Sequence, residues 1–101
     1  MGVAGETLAA WFLTEHGVAV LGRNVKVDGG EVDLLAIDGH SRVVIEVRTR
    51  TNAEDPIDAV GHGKRRQVAT LGRRIGASRI DLVGIGLGRR HFDVHWVPDA
   101  L

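Results

Sequence analysis

The sequence predicts an α/β domain in which two helices pack on a mixed β-sheet. Apolar side chains recur at steps of three and four in two segments, which is typical of helices. Five shorter segments are rich in valine and isoleucine, as strands are, and the order along the chain is α-β-β-β-α-β-β. This order gives an antiparallel start followed by a helical crossover. The 101 residues suit one domain that covers residues 1–101.

The first helix is expected over residues 5–16, ending at Gly17, with its helical spacing kept by Leu8, Trp11, Phe12 and Glu15. Trp11 and Phe12 are predicted to lie in the core. The second helix is expected to begin at Asp55-Pro56, a capping residue followed by proline, and to end near Gly76. Its stripe consists of Ile57, Val60, Lys64, Val68, Leu71 and Ile75.

Five strands are predicted, at residues 18–27, 31–37, 42–49, 80–85 and 92–97. Asp28-Gly29-Gly30 and Asp38-Gly39 are turn sequences that separate the first three.

The composition argues against several classes of protein. The chain has no cysteine, so it has neither a disulfide framework nor a thiolate metal site. No apolar run approaches the roughly 20 residues that span a bilayer. Residues 1–10 carry Glu6 and no basic side chain, unlike a signal peptide. We therefore expect a cytoplasmic protein with no membrane partner. The five histidines lack tight paired spacing, which argues against zinc.

The net charge of zero hides an asymmetry along the chain. Residues 1–59 hold five basic and ten acidic side chains, whereas residues 60–92 hold eight basic and one acidic. Such a chain can hold cations at one place and phosphates at another. The alternative is that the basic segment is a solvated helix face.

Carboxylates interrupt two of the apolar strands. Because side chains alternate across a strand, Glu31 and Asp33 share one face of the second strand, and Glu46 and Arg48 share one face of the third. Carboxylates in half-buried strands are costly unless a positive charge neutralises them. A divalent cation such as Mg²⁺ or Mn²⁺ would do so, since both favour oxygen ligands. The alternative is a plain ion pair with Arg48 and carboxylates at an exposed sheet edge.

The spacing of these motifs resembles the PD-(D/E)XK nuclease signature: Gly30-Glu31-Val32-Asp33, about a dozen residues, then Ile45-Glu46-Val47-Arg48-Thr49-Arg50. The chain most resembles the small bacterial YraN-like family, whose pattern runs Gly-Glu-Ile-Asp and then Val-Glu-Val-Lys-Thr-Arg. Further motifs match in order along nearly the whole chain: Gly5-Glu6, Leu21-Gly22-Arg23-Asn24, Ala59-Val60, Lys64-Arg65-Arg66, Arg79-Ile80-Asp81-Leu82-Val83, and His95 to Ala100.

The resemblance implies a restriction-endonuclease-like fold and a Mg²⁺ or Mn²⁺ site. Asp33 and Glu46 would be the metal ligands, with the backbone carbonyl of Val47 as a third. Glu6 would face them from the first helix, and Glu31 would support the site. The ion would activate water and stabilise charge on a phosphodiester.

Arg48 departs from the family pattern, which has lysine at this position. Arginine stays protonated in proteins, so Arg48 can bind a phosphate but cannot serve as a general base. Lys26, just before the second strand, is one lysine that could take over the role of the family lysine.

The basic helix suits salt-sensitive phosphate contacts, so nucleic acid, and DNA in particular, is the expected partner. Its candidate contact residues are Lys64, Arg65, Arg66, Arg73 and Arg74.

Three functions stay open: a metal-dependent DNA nuclease, a non-cleaving nucleic-acid-binding module of the same fold, and a protein-interaction domain. The acidic set favours the first, and Arg48 favours the second. The clustered basic helix counts against the third. A homodimer is a further expectation for cutting duplex DNA, which requires two active sites.

Overall fold

A computed structural model describes residues 2–50 and 62–101. The described residues form two helices and five strands in the predicted order: α1 (Gly2–Glu15), β1 (Ala19–Val27), β2 (Gly30–Asp38), β3 (Ser41–Arg50), α2 (His62–Arg74), β4 (Arg79–Leu87) and β5 (Phe92–Val97). The strand bounds differ from the expected ones by at most two residues. Asp55-Pro56, Ile57 and Val60, with which the second helix was predicted to begin, lie outside the described residues.

The five strands form one mixed sheet in the order β1-β2-β3-β4-β5. Neighbouring strands are antiparallel except β3 and β4, which run parallel from Val43↔Arg79 to Arg50↔Gly86. This confirms the predicted antiparallel start and crossover. Because β2 runs against β3, the beginning of β2 and the end of β3 lie at the same end of the sheet. Asp33 and Glu46 are near that end.

The two faces of the sheet carry separate apolar layers. On one face, Val43 and Ile45 of β3 pack with Ala9 and Leu13 of α1. On the other face, a layer packs against α2 and includes Val32, Val44, Val68 and Leu71. The predicted stripe of α2 is therefore confirmed over its described part, and α2 covers the face of β3 to which Val44 belongs.

Trp11 corrects the sequence-based prediction of the core. It is 52% exposed, whereas Ala9 and Leu13 on the same helix are fully buried. The core side of α1 is thus filled by smaller residues. Phe12 is half-buried; its ring stacks on His16 at a centroid distance of 4.1 Å and meets Trp96 edge-on.

A buried carboxylate joins β4, β5 and the residues after β5. Asp81 is 1% exposed and accepts two hydrogen bonds from the Arg79 guanidinium, one from the Trp96 indole and one from the Asp99 amide. Arg79 also pairs with Asp38 at the end of β2. The hydrogen bonds that Arg79 donates to Asp81 are the main cause that holds the pKa of Arg79 above its usual range. Every oxygen of this buried group therefore has a partner, as burial of a charge requires.

The turns use glycine where the backbone needs a positive φ. Gly17 has φ +84° at the end of α1, and Gly39 has φ +63° between β2 and β3. Over residues 2–50 and 62–101, neither helix has the length and apolar character needed to cross a membrane.

Candidate active site

Asp33 of β2 and Glu46 of β3 meet where the β2–β3 ladder ends. Leu34 and Ile45 are partners in the β2–β3 ladder, and one step further along the same register are Asp33 and Glu46. The ladder opens there, because Asp33 Oδ2 accepts the Val47 amide at 2.8 Å. Glu46 is only 4% exposed. The two predicted metal ligands are therefore neighbours, as the family resemblance implied.

Glu46 carries its charge in an unfavourable environment. Burial raises its pKa from 4.5 to about 7, and the charge of Asp33 and a hydrogen bond with that carboxyl add to the rise. Lys64 and Arg48 act in the opposite direction. Two adjacent carboxyl groups that resist simultaneous ionisation favour the binding of additional positive charge.

Two cationic side chains approach the same oxygen of Glu46. Arg48 Nη1 lies 4.0 Å from Glu46 Oε1, and Lys64 Nζ lies 3.7 Å from it. Lys64 belongs to the first turns of α2, so the contact joins the helix to the strand. Lys26, the lysine considered from the sequence, lies opposite Glu31 in the β1–β2 ladder instead. The lysine that reaches the acidic pair is Lys64.

Glu6 is hydrogen-bonded by Asn24, a residue of a matching motif for which no role was predicted. Glu6 is 6% exposed, and its Oε1 accepts a hydrogen bond from Asn24 Nδ2 at 2.9 Å. Asn24 has φ +50° in the middle of β1, between the pairs Arg23↔Leu34 and Val25↔Val32, which is the ladder position facing Asp33. Asparagine is disfavoured in strands but tolerates this conformation, so its presence in a strand was an available signal. Glu6 therefore contacts β1 through Asn24, and it is not among the groups that shift the pKa of Glu46.

Glu31 and Val47 have different surroundings. Glu31 is exposed and is not among the groups that shift the pKa of Glu46. Val47 lies beside Asp33, to which its amide donates. Its side chain packs in the layer on the α1 face.

The basic residues of α2 differ in their exposure and in their contacts. Arg66 and Arg73 are exposed, seven residues apart on one side of the helix. Arg65 is half-buried. Arg74, predicted to contact phosphate, is exposed and donates to the Asp28 carbonyl in the β1–β2 turn. The Arg74 guanidinium lies against Gly29, and a side chain at position 29 would collide with it.

The donor set is small. The described residues contain no group of three or more His, Cys, Asp or Glu side chains placed to hold a metal ion. Mg²⁺, however, is commonly bound by one or two carboxylates, with waters and substrate phosphate completing the shell. The pair of Asp33 and Glu46 fits that requirement by the number and type of its oxygen ligands.

Comparison with known proteins agrees with this geometry. The model of the uncharacterised protein family UPF0102 matches residues 5–85. The chain is 41% identical to a UPF0102 protein of Streptomyces griseus, over 89% of this chain and 85% of the relative. It is 38% identical to a UPF0102 protein of Rhodococcus jostii, over 87% of this chain and 83% of the relative.

A solved structure shows the same fold. The Holliday junction resolvase Hjc of Archaeoglobus fulgidus superposes with a TM-score of 0.68 at 23% identity, over 96% of this chain and 71% of the resolvase. The expected restriction-endonuclease-like architecture, a mixed sheet flanked by helices, is thereby confirmed.

Proposed function

This chain belongs to the uncharacterised family UPF0102, and from that membership and the acidic pair we propose that it is a divalent-metal-dependent nuclease acting on DNA phosphodiesters. The observation that carries the proposal is the meeting of Asp33 and Glu46 at the end of the β2–β3 ladder, with two cations beside Glu46. An ordinary ion pair would match each acid with one base. Here a buried carboxylate with a raised pKa faces a second carboxylate.

Asp33 and Glu46 would hold Mg²⁺ or Mn²⁺, with the Val47 carbonyl as the third protein ligand that the family resemblance implies. The ion supplies an activated water and stabilisation of charge on the phosphate. Asp33 is oriented by the Val47 amide, which donates to its Oδ2 atom. Glu6, hydrogen-bonded by Asn24, is the further acidic residue that the family resemblance implies.

Arg48 and Lys64 would bind the phosphate. The Arg48 guanidinium has a planar fork of donors that suits a phosphate with two hydrogen bonds. It stays protonated, so it cannot take the proton that attacking water releases. We infer slow cleavage at neutral pH that accelerates as hydroxide becomes available.

DNA is the proposed substrate for two reasons. The protein of similar fold is a resolvase of Holliday junctions, which are branched DNA. The helix α2 begins at the acidic pair with Lys64 and continues with exposed Arg66 and Arg73. A strand bound along α2 would have its phosphates guided toward Asp33 and Glu46.

The test is incubation with single-stranded, duplex and four-way-junction DNA in Mg²⁺ or Mn²⁺, followed by separation of the products. We expect metal-dependent cleavage that is lost in Asp33→Asn. The matched control Asp93→Asn removes an exposed carboxylate on β5 and should cleave like the parent.

One observation favours a second function, a nucleic-acid-binding module that does not cleave: Arg48 occupies the position of the family lysine. If DNA is bound but no form is cut with either metal, and Arg48→Lys also fails to cut, the nuclease proposal is wrong and the binding module replaces it.

A further inference from the structure

Lys64 occupies an unusual position for a residue of a nucleic-acid-binding helix. Its ammonium lies 3.7 Å from the Oε1 atom of Glu46, while its side chain is 36% exposed. The Glu46 side chain is 5% exposed. Lys64 therefore bridges the buried acidic pair and the solvent, so the same ammonium can contact Glu46 or an incoming phosphate.

We propose that Lys64 is the resident counter-ion of the Asp33–Glu46 pair, and that it leaves Glu46 when a divalent cation binds and then contacts the DNA phosphate. This inference rests on the proposed function of the acidic pair. It assigns Lys64 as a positioning residue that couples metal binding to DNA binding.

The side-chain chemistry separates Lys64 from Arg48. Lysine carries a compact charge on a flexible four-carbon stem, so it can move several ångströms without moving α2. Arg48 belongs to β3 and lies two residues from Glu46. Its guanidinium is rigid and planar, so fewer side-chain conformations bring one of its nitrogens to the same oxygen. Lys64 lies on the same stripe of α2 as the buried Val68 and Leu71, so packing fixes its backbone. The ammonium end of its side chain is partly exposed and is not fixed by that packing.

Electrostatics predicts opposite effects of Lys64 on the two ligands. In the absence of DNA, a positive charge near Glu46 repels an entering cation and competes with it for the carboxylate. With DNA and the metal both present, the same charge attracts phosphate. Removing the charge should therefore tighten metal binding and weaken DNA binding. Removing a residue that only contacts phosphate would change the affinity for DNA and leave the affinity for the metal unchanged.

The experiment compares Lys64→Met, which keeps the length of the side chain, with Arg66→Met, which removes one charge from the exposed part of α2. Mn²⁺ affinity of the DNA-free protein is measured by calorimetry at constant salt and at pH 8, above the pKa of about 7 of Glu46, because removal of the Lys64 charge would otherwise also favour protonation of that carboxyl. We expect Lys64→Met to bind Mn²⁺ about two- to fivefold more tightly than the parent, the range for exposed charge pairs. Arg66→Met should differ by less than about twofold, because screening weakens more distant charges.

The second measurement is the affinity for a short single-stranded DNA, with and without Ca²⁺. Ca²⁺ should strengthen DNA binding by the parent and by Arg66→Met, and this gain should be lost in Lys64→Met. Unchanged or weaker Mn²⁺ binding by Lys64→Met, in a parent that binds Mn²⁺ and cleaves DNA, would overturn this inference alone. If neither parent nor variant binds Mn²⁺, the inference falls together with the proposed function.

Discussion

At the scale of single residues, Glu46 is a carboxyl whose ionisation the fold disfavours. Burial is the largest cause of its pKa of about 7, and Asp33 adds to it. For a carboxyl group, a pKa above the ordinary 4.5 means that the folded state holds a proton that the unfolded state has released. Stability contributed by the protonated group is therefore present below about pH 4.5 and is lost as pH rises toward 7.

Glu46→Gln should remove this dependence. At pH 8 the variant should be more stable than the parent by up to about 3 kcal/mol, whereas at pH 4 the two should be similar. Urea unfolding at the two pH values measures the difference. Glu15→Gln, at an exposed position of α1, is the control and should change little at either pH. An equal effect of Glu46→Gln at both pH values would contradict the assigned cause.

Arg48→Lys tests the other unusual residue of the site. Lysine can give up a proton when its pKa is lowered, so the variant should cleave DNA faster at neutral pH, by the roughly 10²- to 10⁴-fold of acid–base assistance. DNA affinity should fall slightly, because lysine cannot form the two parallel bonds of a guanidinium. Single-turnover cleavage and binding are measured separately, with Arg66→Lys as the control. A change in affinity without a change in rate would remove the role given to Arg48.

At the scale of secondary-structure elements, the site depends on how each element is anchored. Gly5 lets the start of α1 approach Thr49 of β3, where a side chain would collide. Arg74 at the end of α2 holds the turn between β1 and β2. Asp81 anchors β4 to β5. These contacts are distant in sequence, and each fixes an element that carries a residue of the site or supports one that does.

Asp81→Ala should destabilise the fold by about 3 kcal/mol, the cost of breaking a buried charge pair, because the Arg79 guanidinium and the Trp96 indole lose their acceptor. Asp93→Ala removes an exposed carboxylate from the neighbouring strand and should cost less than about 1 kcal/mol. Chemical denaturation compares them. Equal stability of the two variants would show that the Asp81 network is not an anchor.

The elements themselves were predictable, and their side-chain contacts less so. The alternation along β2 and β3 predicted which carboxylates share a face of each strand, and the family resemblance predicted that Asp33 and Glu46 meet. The contact of Lys64 with Glu46 depends on where α2 docks, which local spacing does not determine. The hydrogen bond from Arg74 to the Asp28 carbonyl depends on that docking as well. Trp11 was wrongly placed because aromatic character indicates burial only on the side of the helix that packs.

At the scale of the whole molecule, charge follows the sequence asymmetry: the acidic pair lies where the β2–β3 ladder ends, and Lys64 near the start of α2 contacts it. Further basic side chains follow along α2. Arg66→Ala combined with Arg73→Ala should lower the slope of log affinity against log salt by up to about two units, one for each lost phosphate contact. Arg89→Ala with Arg90→Ala, which removes the same charge from the exposed β4–β5 turn, is the control. Identical slopes in the two double variants would remove α2 as the DNA-binding surface.

The most direct test of the account is a calorimetric titration of Mn²⁺ into the DNA-free protein and into the double variant Asp33→Asn, Glu46→Gln. We expect weak binding of Mn²⁺ by the parent, because two carboxylates and water form most of the shell. We expect no binding by the double variant and parental binding by Asp93→Asn. Unchanged Mn²⁺ binding after both carboxylates are removed would contradict the account, because the metal site would then lie elsewhere.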